Sequence, residues 1–383
     1  MELFRNILSG TFLARPNRFV VECLVDGRKV RAYLPNPGRL WELFFPGIKL
    51  TLVKFPPASG RTLAYMVVAV EREGMPVMLH THYNNLVARK LIEEGRIPGL
   101  EGAAIVKAEH RVGHSRFDFL LTKDHVDILL EVKSCTLFNT ALAMFPDAVS
   151  ARATRHLKEL AELSNTGMRA AVLFIVHSPK ARFFMPEHHT DLEFCRTLLS
   201  VKDRVMVKAV GVEWNQDLSL GDSVRELEIP WDLVERESHD RGSYIIILRL
   251  ARDRKLPIGG LGEVKFRKGY YLYAGSAMKD LSQRIARHRR LTKKKHWHID
   301  HLREHAEFVA AIPIRTGRDL ECPLARELGA IADWQVPGFG SSDCSCATHL
   351  FGMDKDPLHM RSFIDRLLQF RMGLLEEELA LDR

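Results

Sequence analysis

Arg116-Phe117-Asp118-Phe119-Leu120-Leu121 and, a few residues on, Ile128-Leu129-Leu130-Glu131-Val132-Lys133 are the stretch on which the fold turns. Both are apolar runs of strand length. Glu131 and Lys133 stand two residues apart, and side chains at i and i+2 of a strand leave on the same face. Asp118 lies on the preceding strand. The second run is otherwise apolar, through Ile128, Leu129, Leu130 and Val132. Two charges there need a reason, because an unpaired buried charge is costly. Two carboxylates on adjacent strands can hold a divalent ion such as Mg2+ with several of its waters retained. A lysine beside them can orient or deprotonate an attacking water and offset developing charge. An edge-strand ion pair between Glu131 and Lys133 gives the same spacing, so spacing alone does not separate the two readings. Glu109, one strand earlier, reads as a surface charge or an extra acid.

Toward the N-terminus, Phe19-Val20-Val21-Glu22-Cys23-Leu24-Val25 stops at Asp26-Gly27, a hairpin signal. Lys29-Val30-Arg31-Ala32-Tyr33-Leu34 follows with period-two alternation, and Pro35-Asn36-Pro37-Gly38 reads as a loop. Residues 48–55 and 63–70 supply two more strands. Short strands at this spacing predict a small barrel or sandwich over residues 1–80, with Arg15, Arg18 and Arg39 at its loops. Residues 86–94 turn helical, and strands return at 103–109, 116–122 and 127–133. Residues 148–166 read as a helix, with Leu157, Leu160, Ala161 and Leu163 apolar. Residues 170–176 are a continuous apolar run, the pattern of a buried strand, and 204–212 read as another. Alternating strands and helices predict an α/β core over residues 81–220. Residues 216–241 are rich in Asp, Glu and Ser, and 221–241 are expected to be a linker. A further domain is expected over 242–372, with strands at 244–248 and 270–274 and helices at 281–288 and 298–305. Residues 373–383 form an acidic tail in which Glu376-Glu377-Glu378 reads as a solvated helix end. The fold class is multidomain α/β.

The 383 residues, 46% hydrophobic, suit two to three soluble domains with sizeable cores. No apolar run approaches the roughly 18 residues needed to cross a bilayer. Met1-Glu2-Leu3-Phe4-Arg5 lacks a signal-peptide layout, so no membrane and a cytoplasmic location are expected. The net charge of +8 favours polyanionic partners. Its excess clusters at Arg284, Arg287, Arg289, Arg290, Lys293, Lys294, Lys295 and Arg303, with Asp300 as the acid among them. The six cysteines are no secreted disulfide framework. Cys344-x-Cys346-x-x-His349, with Cys322 upstream, offers a zinc set whose spacing differs from that of structural zinc sites; reduced thiols in a turn are the other reading.

Glu131-Val132-Lys133-Ser134-Cys135-Thr136-Leu137, Phe145-Pro146-Asp147-Ala148-Val149 and His156-Leu157-Lys158-Glu159-Leu160 closely resemble the SfsA family, named for sugar fermentation stimulation. Asn17-Arg18-Phe19, Leu34-Pro35-Asn36-Pro37-Gly38-Arg39-Leu40 and the Arg116 to Leu121 strand resemble it too. The resemblance spans about residues 1–220. It implies an OB-like barrel that binds DNA, with Arg15, Arg18, Asn36 and Arg39 as candidate nucleic-acid contacts. It also implies a PD-(D/E)xK nuclease-like domain with Asp118 and Glu131 as metal ligands and Lys133 as a catalytic residue. Ala153 stands where the family usually has glycine. Asp147, Arg152 and His156 are spaced to share a helix face, either beside the site or in solvent.

Gly242-Ser243-Tyr244 and Gly269-Tyr270-Tyr271-Leu272-Tyr273-Ala274-Gly275-Ser276 resemble the paired strands of the GIY-YIG nuclease fold, in its Uri-like branch. Arg284-Ile285-Ala286-Arg287-His288, His296-Trp297-His298-Ile299-Asp300-His301-Leu302 and Phe339-Gly340-Ser341-Ser342-Asp343-Cys344 match as well. This resemblance spans about residues 240–372, although the loop between the two strands is long. It implies that Tyr244 and Tyr273 line a site, that Arg284 and His288 face it, and that Glu321, or else Glu327, binds a metal. A tyrosine hydroxyl can serve as general base and an arginine can stabilise a scissile phosphate. Tyr270 and Tyr271 are alternates for Tyr273. Arg287, Arg289, Arg290, Lys293, Lys294 and Lys295 are candidate phosphate contacts that would give salt-sensitive affinity. His298 and His301 are expected on a helix face beside the substrate. The two resemblances together imply a Mg2+- or Mn2+-dependent endonuclease on DNA, with RNA and a homo-oligomer left open. The alternative is a DNA-binding regulator, related to sugar metabolism, with one or both folds inactive.

Overall fold

The structure is a computed structural model, and it describes residues 3–56, 60–113 and 115–381. Met1 and Glu2, and the tail residues Asp382 and Arg383, lie outside the described residues. The chain divides into two compact units. The first comprises residues 1–187, 193–235 and 379–383, and the second 188–192 and 236–378.

The first unit opens with β1 (Ile7–Asn17), β2 (Val20–Val25), β3 (Arg28–Tyr33), β4 (Lys49–Lys54), β5 (Tyr65–Arg72) and β6 (Met75–Met78). They form one sheet in the order β3-β2-β1-β4-β5-β6, and a parallel pairing of β3 with β5 closes it into a barrel. β2 buries every second residue, Val21, Cys23 and Val25, against the interior. The β2–β3 hairpin turns at Asp26 and Gly27, both with positive φ (50° and 74°), as a two-residue primed turn requires. β1 is absent from the sequence reading, and Arg15 sits within it rather than in a loop.

Next come α1 (Asn84–Glu93), β7 (Ala104–Val112), β8 (Ser115–Lys123), β9 (Val126–Cys135), β10 (Leu137–Phe138), β11 (Leu142–Phe145) and α2 (Ala151–Leu163). They are followed by β12 (Arg169–Val176), β13 (Phe183–Pro186), α3 (Leu192–Val201), β14 (Met206–Trp214) and β15 (Leu220–Glu226). The large sheet runs β15-β14-β12-β9-β8-β7, and β10, β11 and β13 form a small sheet of their own. β12 pairs parallel with both β9 and β14. Its residues alternate between two cores: Ala170, Val172, Phe174 and Val176 pack into one, and Ala171, Leu173 and Ile175 into the other. The first of these cores also holds the barrel's Phe12, Val21 and Leu50, so barrel and sheet share one apolar interior and no gap in packing falls at residue 80.

The expected linker is corrected. Residues 220–226 are β15, antiparallel to β14, and Trp231–Glu237 form helix α4. The Asp, Glu and Ser content marks a strand at a sheet edge, where polar residues discourage further pairing.

The second unit is built on β16 (Gly242–Leu250), the hairpin β17 (Arg254–Pro257) and β18 (Glu263–Phe266), and β19 (Gly269–Ala277). It continues through α5 (Leu281–Arg289), α6 (His298–Arg303), β20 (Glu307–Arg315), α7 (Glu321–Gly329), β21 (Trp334–Gln335), β22 (Leu350–Met353) and α8 (Arg361–Leu368). Its sheet is β20-β16-β19-β22-β21. A short π-helix leads from α8 into α9 (Leu374–Leu381). The acidic tail is not merely solvated: Glu378 pairs with Arg236 at 2.5 Å and with Arg318 at 3.0 Å.

Candidate functional sites

The ladder between β8 and β9 ends at the pair Phe119↔Leu130. One residue further, the Asp118 side chain takes over: its Oδ2 accepts the Val132 amide at 2.7 Å, and its Oδ1 accepts the Asn85 amide at 2.7 Å. Glu131 is buried, with 4% exposure. Its Oε1 accepts from Lys133 Nζ and from His156 Nδ1, the latter at 2.7 Å, while its buried Oε2 has no hydrogen-bond partner. Burial raises the Asp118 carboxyl above its usual range, and the Glu131 charge adds to that. Burial also works on Glu131, but the hydrogen bond from His156 and the Lys133 charge outweigh it and hold that carboxyl low. Neighbouring carboxyls pushed apart in this way are a mark of a working site. A buried carboxylate oxygen with no partner, beside a second carboxylate, is the donor set that a hard divalent cation takes. The residues therefore fit such a cation.

Asp147, Arg152 and His156 do not share a face. α2 is capped by Ser150, whose Oγ accepts from Ala153 N at 3.3 Å, so Asp147 precedes the helix. Asp147 Oδ2 instead accepts the Leu40 amide at 3.3 Å; His156 is buried against Glu131, and Arg152 is exposed. Glu109 is a surface charge, paired with Arg116 at 3.4 Å. Sequence reasoning missed Asn85, which no motif signals. It also missed His177, whose ring holds Ser134 at 2.9 Å and Trp214 at 3.1 Å, and which burial pushes down to about 3.

In the barrel, Arg15 donates to the carbonyls of Arg39 (2.5 Å), Gly38 (2.7 Å), Arg18 (2.8 Å) and Asn36 (3.3 Å). Asn36 is buried and bonds Leu79 O at 3.2 Å and Gly38 N at 2.9 Å. Arg15 and Asn36, expected as nucleic-acid contacts, are therefore corrected to holders of the 35–40 loop: both terminal guanidinium nitrogens of Arg15 and the side-chain amide of Asn36 are turned onto that loop and its surroundings. Arg18 is exposed, and Arg39 is half-buried with its guanidinium 5.0 Å above the Trp41 ring.

In the second unit, β16 and β19 set Tyr244 opposite Gly275 and Ile246 opposite Tyr273. Tyr244 and Tyr273 thus share a face, with ring centres 6.5 Å apart. A Cβ at Gly275 would come within 2.5 Å of Tyr244 Oη, so glycine makes room for the ring. Both tyrosines line a cavity of about 380 Å3 together with Arg284, His298, Glu321 and Asp343. Glu321 Oε2 accepts from Ser276 Oγ and its Oε1 from His349 Nδ1 at 2.8 Å. Glu327 pairs with Arg366 at 3.4 Å and does not reach the cavity. Tyr271 donates to Arg267 O at 2.7 Å, and Tyr270 is likewise no part of the lining. His288 is buried behind Tyr244, its Nε2 2.8 Å from Tyr244 Oη, rather than lining the cavity with Arg284. Burial raises both tyrosine hydroxyls well above their usual range and pushes His288 down to about 3.

Asp300 is the hub of the basic run. Its fully buried carboxylate accepts from Lys293 at 2.7 Å, Arg287 at 3.0 and 3.3 Å, and the amides of His296 at 3.0 Å and Trp297 at 3.2 Å. Lys293 is itself 7% exposed, so it is a buried counter-ion rather than a surface phosphate contact. Arg284 and Arg287 lie 4.3 and 4.2 Å from the Trp297 ring. Arg289, Arg290, Lys294 and Lys295 are exposed, and Lys295 pairs with Glu304 at 2.9 Å. His301 follows on α6, half-buried and outside the cavity lining. Cys322, Cys344, Cys346 and His349 come together, with ligand atoms all within 4.8 Å of one another. No helix among the described residues is long and apolar enough to cross a membrane.

Residues 13–79 match the SfsA N-terminal OB domain, residues 82–217 the sugar fermentation stimulation protein RE domain, and residues 243–371 the domain of unknown function DUF123. A sugar fermentation stimulation protein homolog of Methanothermobacter thermautotrophicus is 39% identical over 196 residues, which are 51% of this chain and 81% of the relative. One of Moorella thermoacetica is 39% identical over 199 residues, 52% of this chain and 86% of the relative. A solved structure of Pyrococcus furiosus SfsA in complex with Ca2+ matches with a TM-score of 0.54 at 32% identity, covering 60% of this chain and 99% of that one. The chain belongs to the sugar fermentation stimulation protein family and carries a DUF123 domain in the same polypeptide.

Proposed function

We propose that this protein is a divalent-metal-dependent DNA endonuclease whose principal site is Asp118, Glu131 and Lys133. The observation that carries the reading is the partnerless, buried Oε2 of Glu131 beside the Asp118 carboxyl. A bound Mg2+ or Mn2+ would supply a polarised water and neutralise charge on the scissile phosphate. The Ca2+ in the Pyrococcus furiosus structure is a hard, oxygen-seeking cation of the same class. Asp118 and Glu131 would hold the ion. Asn85 and the Val132 amide fix the Asp118 carboxylate in one orientation, and His156 does the same for Glu131. Lys133 reaches the same carboxylate and carries the positive charge that a developing phosphorane or an attacking water requires. Arg18 and Arg39 on the barrel are the remaining candidates for backbone phosphates.

The cavity of the second unit supports a second hydrolytic centre. Arg284, resting on Trp297, is placed to meet a phosphate, and Glu321 to hold a cation. Burial raises the Tyr244 hydroxyl well above its usual range, and its 2.8 Å hydrogen bond with His288 Nε2 fixes where that hydroxyl stands in the cavity wall.

The test is cleavage of supercoiled plasmid and of single-stranded DNA and RNA by the full chain with Mg2+ or Mn2+. Glu131→Gln combined with Lys133→Ala should abolish one activity, and Arg284→Ala combined with Glu321→Gln the other. A well-folded chain that cuts none of these with either metal would overturn the proposal.

A further inference from the structure

The second unit gathers a thiol-rich cluster that the nuclease reading does not use. Cys322 enters from the first turn of α7, while Cys344, Cys346 and His349 come from the segment between β21 and β22. All four ligand atoms lie within 4.8 Å of one another, and all three cysteines are free. Cys344 Sγ is 3.4 Å from His349 Nε2. A tetrahedral zinc ion, with Zn–S of about 2.3 Å and Zn–N of about 2.0 Å, sets its sulfur and nitrogen ligands roughly 3.5 Å apart.

The histidine is already arranged for such a site. Its Nδ1 donates to Glu321 Oε1 at 2.8 Å, which leaves the Nε2 lone pair facing the thiols. A metal-bound histidine whose other nitrogen is held by a carboxylate is the usual second shell of a zinc site. Three sulfurs and an imidazole favour zinc over hard cations such as Mg2+.

We propose that Cys322, Cys344, Cys346 and His349 bind one structural zinc ion, and that the ion fixes Glu321 through His349. The segment the zinc would pin, residues 336–349, carries Gly340, Ser342 and Asp343, which form one wall of the cavity. A structural zinc contributes its binding energy to folding, so it would hold that wall against α7. Glu321 would then be held from two sides, by Ser276 on β19 and by the zinc-bound His349. The metal assignment stands apart from the nuclease reading; only the use of Glu321 in the cavity rests on it.

The experiment reads metal in the full chain without nucleic acid. Protein purified without chelator should carry about one zinc per chain by elemental analysis. Chain produced with cobalt should show thiolate charge-transfer and tetrahedral Co(II) absorption bands. Cys344→Ser and Cys346→Ser should each lose the metal. Glu321→Gln should keep the stoichiometry at saturating zinc while weakening affinity roughly 10- to 100-fold in competition with a chelating dye. A wild-type chain that is folded, reduced and free of zinc, and that gives no tetrahedral cobalt spectrum, overturns the proposal. So does a disulfide among these three cysteines in the protein as isolated. An unchanged zinc affinity in Glu321→Gln overturns the link to Glu321. None of these readouts depends on cleavage, so they fail or hold separately from the nuclease assay.

Discussion

Glu42 sits in the barrel with 9% exposure, and its Oε1 has no hydrogen-bond partner. Burial, reinforced by the Asp147 charge, lifts its carboxyl from 4.5 to about 7, against the smaller opposing charges of Arg72 and Arg15. The folded state therefore binds more protons than the unfolded state between those two values. Stability from this group is fully present below pH 4.5 and is lost as pH rises through about 7. The separation of about 2.5 units corresponds to roughly 3.4 kcal/mol in all, of which about 2.5 kcal/mol falls between pH 5 and 8.5. Glu42→Gln removes the titration while keeping shape and volume. The measurement is scanning calorimetry of the wild-type and variant chains at both pH values. The quantity to compare is the difference between the two proteins. Buried His80 and His177, pushed down to about 4 and about 3, stabilise both proteins as pH rises, and that contribution cancels. The advantage of the variant should grow by roughly 5 to 10 °C from pH 5 to 8.5. A difference that stays flat, or shrinks, would falsify the assignment of Glu42 as a buried acid forced to ionise.

Two further perturbations probe the second unit. Asp300→Asn leaves Lys293 and Arg287 with their shared carboxylate gone, and breaking a buried pair from one side costs about 3 to 5 kcal/mol; hydrogen exchange at the His296 and Trp297 amides should accelerate, and a loss under about 1 kcal/mol would contradict the hub. Gly275→Ala drives a methyl into Tyr244 and should cost about 1 to 3 kcal/mol, measured as a lower melting temperature, whereas an unchanged melt would show that the ring has room to move.

What the sequence disclosed follows from how strongly a residue's chemistry is tied to its spacing. The hairpin at Asp26-Gly27 was legible because only a few residue pairs accept positive φ twice. β12 was legible because an unbroken apolar run has few destinations other than a buried strand. β1 was not, since Gly10 and Pro16 punctuate it. Gly10 is there for a tertiary reason: a Cβ would come within 2.6 Å of Leu52 Cδ1 and 2.9 Å of Leu24 O. Glu131 stood out as a charge in an apolar strand, but the side chains that position it come from separate elements. His156 arrives from α2 and Asn85, holding Asp118, from α1. The same holds for Cys322, whose place beside Cys344 and Cys346 is set by the packing of α7 and not by any local motif.

β12 has a consequence for how the first unit assembles. Most strands are told their register by a polar face and an apolar face, and a slip of one residue exposes the error to water. β12 has apolar residues on both faces, so a slipped copy would bury nearly the same surface. The cues that seat it lie at its start, in the left-handed Gly167 (φ 90°) and the exposed Arg169, and in β9 beside it. Val172 must come to rest beside Glu131 and Phe174 beside Lys133. The alignment of the central strand therefore decides what stands beside Glu131 and Lys133.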